Sequence, residues 1–501
     1  MRHQLVTRLL RWVTVLLAMG LITLRFVHME ADPDTSLSRS RVFYTDEGYN
    51  SCNAVNKVVS GHWLCDRNNH ILLMPVMPVV QYAVFKVAGL SLPSARLPAS
   101  LLSVGIILLV LLLLSRRMQE EPQRPPREKW LALTLAVFLL GTNYYFYIYG
   151  RLALLDLPMT AFGVASLLAV HKALSQLRGN KGLLWFVVAG VLLAAAFLTK
   201  PSAALYGAAL VLLMVLQMVV EPGRWRDPLK GMGITLVVAG ALILAARVLI
   251  GVAAAGYKEL TPSHLVTDRI VFHLRTIVRN YVKFFNNPVV KKNAPLLGLA
   301  YLNVVVLAFN SARLGVFRLA DRVMVALFVA CYLFLGFFVH QLPRYFVVLV
   351  VPMSYLVATF PDNLRLLWSS RGGALWRGLV IIVVVWANWW NTARLVQYIR
   401  EPHFSMRTVA RQVREIVAEE CGADVEGAVL CGDVAATMAL SNGMKFSFGV
   451  PQHGQRLYLF AQGEAAVPGR TLAPLQTFDL LNNYYCYDYG RRRMYLYRVG
   501  N

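Results

Sequence analysis

Long apolar runs, rather than apolar residues at helical or alternating spacing, dominate the chain as far as residue 397. A run of about 20 apolar residues is long enough to cross the hydrocarbon of a bilayer as a helix. We therefore predict membrane spans at 8–27, 97–114, 130–148, 152–171, 183–199, 202–220, 232–252, 295–311, 322–340, 343–361 and 376–397. Because the runs recur, a cleavable signal peptide does not account for them.

The segment 71–90 is also apolar, but it carries Pro75, Pro78, Gln81 and Lys86 and is short for a full crossing. The distribution of Lys and Arg decides its placement, because short loops rich in these residues stay in the cytoplasm. The basic N-terminus and the basic loops, which are every second loop, lie on the same side of the membrane only if this segment does not cross. We predict eleven spans in a multi-pass protein of the plasma membrane, the inner membrane in a bacterium, with the N-terminus cytoplasmic and the C-terminus outside.

Three long segments then face outward, namely 28–96, 253–294 and 398–501. Within 264–286, apolar residues recur at helical spacing with Arg and Lys residues between them. This pattern predicts a basic amphipathic helix that lies on the membrane surface, or one that packs over the bundle with a solvated face.

The tail predicts a small extracytoplasmic α/β domain. Residues 405–420 indicate a helix, 428–431 and 445–448 indicate short strands, and a tyrosine-rich stretch indicates a closing hairpin around Gly490. The predicted fold is an all-α polytopic membrane bundle over residues 1–397, with juxtamembrane helices, followed by this soluble domain.

Composition agrees with a membrane protein, since 57% of the residues are hydrophobic and only 15% are charged, whereas about a quarter are charged in a typical soluble domain. The formal net charge of +24 is explained by the basic loops, so we predict no nucleic-acid partner. Of six cysteines, Cys52 and Cys65 share the first outer loop, where a disulfide and two free thiols are equally compatible with the sequence.

Two neighbouring acids, Asp46 and Glu47, follow the first span closely enough to lie at the membrane surface. A positioned carboxylate can act as a general base in proton transfer. The structural alternative is a solvated turn or a helix cap, where Asp is common.

A second acidic position is Asp156, which with Arg151 supplies the only charges in a long apolar stretch that joins two spans on the outer side. A carboxylate at the edge of the hydrocarbon is costly unless it is paired or functional. The alternative to a functional site is a structural Arg151–Asp156 ion pair.

Cationic residues of the outer face could clamp a phosphate or contact lipid headgroups. They include Arg67, His70, Arg96, Lys200 and Arg344. The sequence contains neither a phosphate-binding Walker loop nor a glycine-rich dinucleotide motif, and no Cys/His set has zinc-site spacing. We predict no cofactor and leave the need for a divalent metal open.

Several short motifs follow one another in a characteristic order: Asp46–Tyr49, Ser60–Trp63, Pro75 with Pro78, Ser94–Ala99, Arg151–Asp156, Leu198–Pro201, and Pro343–Phe346 running into Pro352. This order resembles the GT-C superfamily of membrane glycosyltransferases, in particular the bacterial aminoarabinose transferase and protein O-mannosyltransferase-like families. The resemblance covers roughly residues 1–400. One element departs from it, because the stretch 73–78 lacks the lysine with which these families contact the lipid phosphate.

The resemblance implies a hexosyl- or pentosyltransferase of cell-envelope glycan biosynthesis. It would move a sugar, with inversion, from a polyprenyl-phosphate donor to a glycan, lipid or protein acceptor at the outer membrane face. By that resemblance Asp46 would be the general base, Glu47 would support its position and charge, and Asp156 would orient the acceptor or the sugar. Residues that could bind the substrate or its phosphate are Arg67, His70, Arg151, Lys200, Arg344 and Tyr345.

Two other classes of function remain open at this point. A lipid-linked sugar flippase or transporter would need charges within its spans and often has internal repeats with broken helices, neither of which is clear in the sequence. A non-catalytic membrane assembly protein would not need the outer acids at all.

Overall fold

Helices make up most of the structure, a computed structural model that describes residues 2–33, 45–120, 126–176, 180–253, 274–337, 343–367, 372–451, 456–462, 465–479 and 493–500. The helices are α1 (Arg2–Leu24), α2 (Thr45–Val59), α3 (Val76–Ala88), α4 (Leu92–Gln119), α5 (Pro126–Thr142), α6 (Tyr144–Arg151), α7 (Asp156–Ser175), α8 (Asn180–Thr199), α9 (Ala204–Val220), α10 (Arg226–Ala253), α11 (Leu274–Asn286), α12 (Pro288–Leu314), α13 (Leu319–Phe337), α14 (Val347–Leu367), α15 (Gly372–Arg400), α16 (Ser405–Cys421) and α17 (Ala435–Asn442).

Within the described residues, ten helices are long and apolar enough to cross a membrane, or eleven if α5 and α6 form one bent span. The predicted multi-span bundle is therefore confirmed. Helix α3 is apolar but has only 13 residues, about 20 Å of helix, which is too short to cross the hydrocarbon. This agrees with the prediction that segment 71–90 does not cross.

A bend of 60° separates α5 from α6 inside the predicted span 130–148. The side chain of Asn143 accepts a hydrogen bond from the backbone N–H of Phe146 at 3.0 Å, so it caps a new helix where the hydropathy pattern is continuous. The end of the predicted span therefore belongs to α6, which runs in a different direction from α5.

The two membrane faces of the bundle differ. One face carries residues 45–96 and the C-terminal domain, and we call it the tail face. The other face carries the start of α1 and the C-terminal ends of α4 and α7, and we call it the N-terminal face. Near the N-terminal face, Arg117 is fully buried and donates from Nε to Asp321 at 2.8 Å and from Nη2 to Asn363 at 2.6 Å. These buried contacts tie α4 to α13 and α14.

The C-terminal domain contains a five-stranded sheet in the order β2-β1-β3-β5-β4. The strands are β1 (Val429–Cys431), β2 (Lys445–Ser447), β3 (Leu457–Gln462), β4 (Thr471–Asp479) and β5 (Arg493–Gly500). Strands β1, β2 and β3 pair in parallel, whereas β5 pairs antiparallel with β3 and β4. The predicted helix and first two strands correspond to α16, β1 and β2. The predicted turn around Gly490 lies outside the described residues.

The domain packs directly on the first loop of the tail face. Side chains of α2, α3, α16 and α17 share one apolar cluster that includes Val55, Phe85, Val413 and Met438. Gly48 permits this contact, because a Cβ atom at that position would lie 2.3 Å from Oγ1 of Thr437.

Part of the predicted amphipathic helix is seen as α11, while residues 264–273 lie outside the described residues. Phe284 is buried against the bundle, and Asn280 donates to the carbonyl of Gly336 at 3.1 Å. The exposed face of α11 carries Arg279 and Lys283 beside Val282. The helix therefore packs on the bundle and keeps a basic outer face, while its contact with lipid stays a prediction.

Candidate functional site

Both predicted acidic positions lie at helix starts on the tail face. Asp46 and Glu47 occupy the first turn of α2, and Asp156 is the first residue of α7. The N-terminal end of a helix carries a partial positive charge that stabilises a nearby carboxylate. Local structure therefore favours acids at these positions.

Asp156 forms an ion pair with Lys200. The Lys200 Nζ donates to Oδ1 of Asp156 at 2.5 Å, and the two side chains are only 15% and 4% exposed. The backbone N–H of Lys200 donates to the carbonyl of Ala196 at 3.0 Å, so the lysine extends the last turn of α8, where a cation is favoured. The buried carboxylate is thus paired across 44 residues of sequence.

Arg151 does not pair with Asp156, so the ion pair weighed from the sequence is not formed. Its Nη1 donates to the hydroxyl of Tyr147 at 2.9 Å and its Nη2 donates to the carbonyl of His28 at 2.5 Å. The guanidinium also stacks over the ring of Tyr398 at 5.6 Å. Arg151 therefore connects α6 to α15 and to the turn after α1.

Asp46 forms its ion pair with Arg344, which lies in the short 3-10 turn Pro343–Phe346 before α14. The Asp46 side chain is 36% exposed and that of Arg344 is 16% exposed. Asp46 is thus the more accessible of the two acids.

Tyr345 connects the two ion pairs. Its ring centroid lies 4.6 Å from Nζ of Lys200 and 5.3 Å from Cζ of Arg344, both within reach of a cation–π interaction. A continuous series of contacts therefore runs from Asp46 through Arg344, Tyr345 and Lys200 to Asp156. We call these five residues the Asp46–Asp156 site.

Glu47 is buried beside this site, with 2% of its side chain exposed. Its two carboxylate oxygens accept from Nε and Nη2 of Arg96 at 2.8 and 2.6 Å, and Oε1 also accepts from the N–H of Ala153 at 2.8 Å. Arg96 Nη1 donates to the carbonyls of Met29 and Ala31. Glu47 therefore joins α2 to α4, to the α6–α7 connection and, through Arg96, to the turn after α1.

Two predicted phosphate-binding residues lie elsewhere on the tail face. Arg67 is exposed, and its neighbour Asp66 accepts from the backbone N–H groups of Phe448 and Gly449 at 3.1 and 2.7 Å. His70 begins the half-buried 3-10 turn His70–Leu72. Among the described contacts, the series that forms the Asp46–Asp156 site includes neither Arg67 nor His70.

Cys52 and Cys65, the two cysteines of the first outer loop, are free thiols in the structure, and both are buried. Burial, together with the adjacent Cys65 thiol, raises the pKa of the Cys52 thiol. Since the thiolate is the reactive form, this environment keeps Cys52 unreactive.

Sequence reasoning missed Arg25, which lies at the tail-face end of α1 and is fully buried. Its Nη1 donates to Oγ of Ser103 at 3.0 Å, and its Cζ lies 4.6 Å from the ring centroid of Phe146. A Cβ atom at Gly150 would lie 2.8 Å from Nη1 of Arg25, so glycine makes room for the guanidinium. The available signal was an arginine near the outer end of the apolar segment 8–27, whose other two arginines, Arg8 and Arg11, lie at its start.

In the part of the chain that the structure describes, no group of three or more His, Cys, Asp and Glu side chains is placed to hold a metal ion. The Asp46–Asp156 site itself supplies two carboxylates and two cations beside a buried tyrosine.

Comparison with known proteins identifies the fold. A sequence profile of the family described as dolichyl-phosphate-mannose-protein mannosyltransferase matches residues 74–250. A search of curated proteins by sequence finds no match. ArnT from Cupriavidus metallidurans bound to undecaprenyl phosphate superposes with a TM-score of 0.63 at 14% identity, covering 98% of this chain and 97% of that one. Its apo state gives a TM-score of 0.65 at 15% identity and covers 97% of each chain.

A more distant likeness is to the archaeal oligosaccharyltransferase AglB from Archaeoglobus fulgidus, in complex with an inhibitory peptide and a dolichol-phosphate. Its TM-score is 0.54 at 11% identity, with 88% of this chain and 64% of that chain covered. At these identities the likeness concerns the fold. The expected resemblance to GT-C membrane glycosyltransferases is thus confirmed for the architecture of the chain.

Proposed function

We propose that this chain transfers a sugar from a polyprenyl-phosphate donor to an acceptor at the tail face of the membrane. The observation that carries the proposal is the Asp46–Asp156 site, where two carboxylates and two cations from separate elements meet on a GT-C fold. The bound undecaprenyl phosphate of ArnT and the dolichol-phosphate of AglB support a lipid phosphate as part of the donor.

Arg344 and Lys200 are suited to receive the donor phosphate. Each is paired with one carboxylate and each lies over the ring of Tyr345, so the two cations are close neighbours. A phosphate that enters between them can take over the hydrogen bond that Arg344 now donates to Asp46, because a guanidinium group binds phosphate as well as carboxylate. The lysine expected from the family pattern in 73–78 is then not needed.

Displacement of Arg344 would free the Asp46 carboxylate to act as general base. The acceptor oxygen loses its proton to Asp46 and forms a bond to the anomeric carbon, while the bond from that carbon to the phosphate oxygen breaks. The polyprenyl phosphate leaves with the bonding electrons, and Arg344 and Lys200 stabilise its developing charge. Attack opposite the leaving phosphate inverts the anomeric carbon.

Asp156 is better suited to positioning Lys200 than to contacting the acceptor. Its side chain is 4% exposed, and its Oδ1 already accepts from Nζ of Lys200. We propose that it holds the ammonium group over Tyr345, where the phosphate arrives. This differs from the role that the family resemblance implies, in which Asp156 orients the acceptor or the sugar.

The test compares purified Asp46→Asn and Asp156→Asn variants with the wild-type chain, using a polyprenyl-phosphate sugar and acceptors extracted from the membrane. Asp46→Asn should lower the transfer rate about 10²–10⁴-fold, the usual contribution of a general base, with donor affinity retained. Asp156→Asn should weaken donor binding as well as the rate, because Lys200 loses its partner.

Asp424→Asn is the matched control, since it removes one carboxylate that is 78% exposed in the C-terminal domain. Mass spectrometry of the products measures both the glycosylated acceptor and the released polyprenyl phosphate. Full transfer by the Asp46→Asn, Asp156→Asn double variant would reject the proposal. Movement of the lipid-linked sugar across vesicles without a new glycosidic bond would show a transporter instead.

A further inference from the structure

A cavity lies near the N-terminal face, far from the Asp46–Asp156 site. It has a volume of about 250 Å³ and is bounded by α4, α7 and α8. Helix α7 begins at Asp156 and reaches Lys172, a lining residue, 16 positions later, which is about 24 Å of helix. That length approaches the hydrocarbon thickness, so the cavity mouth is at the opposite interface.

The inner walls of this cavity are apolar. They are formed by Leu109 and Leu112 of α4, Ala165 and Leu168 of α7, and Leu192 of α8. The small side chain of Ala165 leaves space between larger neighbours, and Leu112 is 45% exposed at the edge. A surface of this kind accepts a hydrocarbon chain that enters from the surrounding lipid.

The mouth of the cavity is basic. Arg116 is exposed on the last turns of α4, and Lys172 lies on the facing turn of α7 with its Nζ 3.8 Å from the ring centroid of Trp185. Tryptophan is enriched at this depth of the membrane, where its ring meets the headgroups. One acid is near, since Glu120 lies 3.5 Å from Nε2 of His171.

We infer that this groove binds an anionic phospholipid, with an acyl chain along the apolar wall and the headgroup phosphate between Arg116 and Lys172. Charge complementarity selects the occupant, because basic pockets between membrane helices bind anionic lipid headgroups. A polyprenyl phosphate also joins a hydrocarbon chain to an anionic phosphate. In the proposed function, however, the donor phosphate binds at Lys200 on the tail face, so the same phosphate cannot also reach this mouth.

The test measures lipid binding by native mass spectrometry of the full chain in detergent, titrated separately with phosphatidylglycerol, phosphatidylcholine and undecaprenyl phosphate. The Arg116→Ala, Lys172→Ala variant should bind phosphatidylglycerol about thirtyfold more weakly, the effect of two basic side chains near an anionic surface. Ala165→Phe keeps both charges but fills the groove, and it should lower binding by a similar factor.

The control Arg226→Ala, Lys230→Ala removes two exposed cations from α10 at the same membrane face but outside the groove, and its lipid binding should equal that of the wild type. Equal binding of phosphatidylcholine and phosphatidylglycerol would overturn the inference, as would wild-type binding by Ala165→Phe. If the wild type bound undecaprenyl phosphate selectively and Ala165→Phe did not, the occupant of the groove would be a polyprenyl lipid instead of a phospholipid. That result would also overturn the inference.

Discussion

Replacing Glu47 with glutamine separates a supporting role for this acid from a direct role in the reaction. Glu47 and Arg96 form a bidentate ion pair whose side chains are 2% and 3% exposed. Glutamine keeps the size of the side chain and one oxygen for the N–H of Ala153, but it leaves the Arg96 charge buried without its counter-ion. Removing one partner of such a pair costs about 3–5 kcal/mol.

We therefore expect Glu47→Gln to lower the free energy of unfolding by about 3 kcal/mol. The measurement is unfolding in mixed micelles with increasing dodecyl sulfate, followed by tryptophan fluorescence. Arg96→Met removes the Nη1 donor to the carbonyls of Met29 and Ala31, and the Ala31 carbonyl keeps only the longer hydrogen bond from the Tyr398 hydroxyl at 3.4 Å, so this variant is destabilised as well. The double variant should be less destabilised than the sum of the two single variants by about 1–3 kcal/mol, since the two residues are directly coupled.

Glu30→Gln is the matched control, because Glu30 pairs with Arg407 while 33% of its own side chain and 60% of the arginine are exposed. An exposed pair contributes about 0–1 kcal/mol, so this variant should unfold as the wild type does. Wild-type stability of Glu47→Gln would refute the reasoning from burial. If that stable variant also lost sugar transfer, Glu47 would have to be placed among the reacting groups.

Two further changes test how the C-terminal domain is attached to the bundle. Gly48→Ala places a Cβ atom 2.3 Å from Oγ1 and 2.5 Å from the backbone nitrogen of Thr437, and it should destabilise the contact between α2 and α17 by about 1–3 kcal/mol. Faster proteolysis of the C-terminal domain would show this loss of contact. The control Gly105→Ala, whose Cβ atom meets no atom within 4 Å, should leave the proteolysis rate unchanged. Burial raises the pKa of Asp32, which accepts from the N–H of Ser405, from 3.8 to about 7. The folded chain then binds this proton more tightly than the unfolded chain does, so the stabilisation from Asp32 should fall as pH rises from about 4 to 7. Asp32→Asn should abolish that slope in the protease resistance of the tail, and an unchanged slope would assign it to other groups.

Several parts of the architecture could be predicted from the sequence because their signals are local. Each span is encoded by its own apolar run, and the placement of Lys and Arg excluded segment 71–90 as a crossing. The helix at 405–420 and the strands at 428–431 and 445–448 were also placed correctly. The break at Asn143 was missed, because one capping side chain interrupts a run whose hydropathy does not change.

The sequence by itself predicted the multi-span helical bundle, the common face of the two acidic positions and the family resemblance of their motifs. Tertiary structure alone decided the partner of each charge. Asp156 pairs with Lys200 instead of the nearby Arg151, Glu47 pairs with Arg96, and Asp46 pairs with Arg344, 298 positions away. The hydropathy of a segment reports whether it prefers lipid to water, and it depends only on residues that are adjacent in the sequence. An ion pair depends on which helix ends meet in space, and that follows from packing among all the spans.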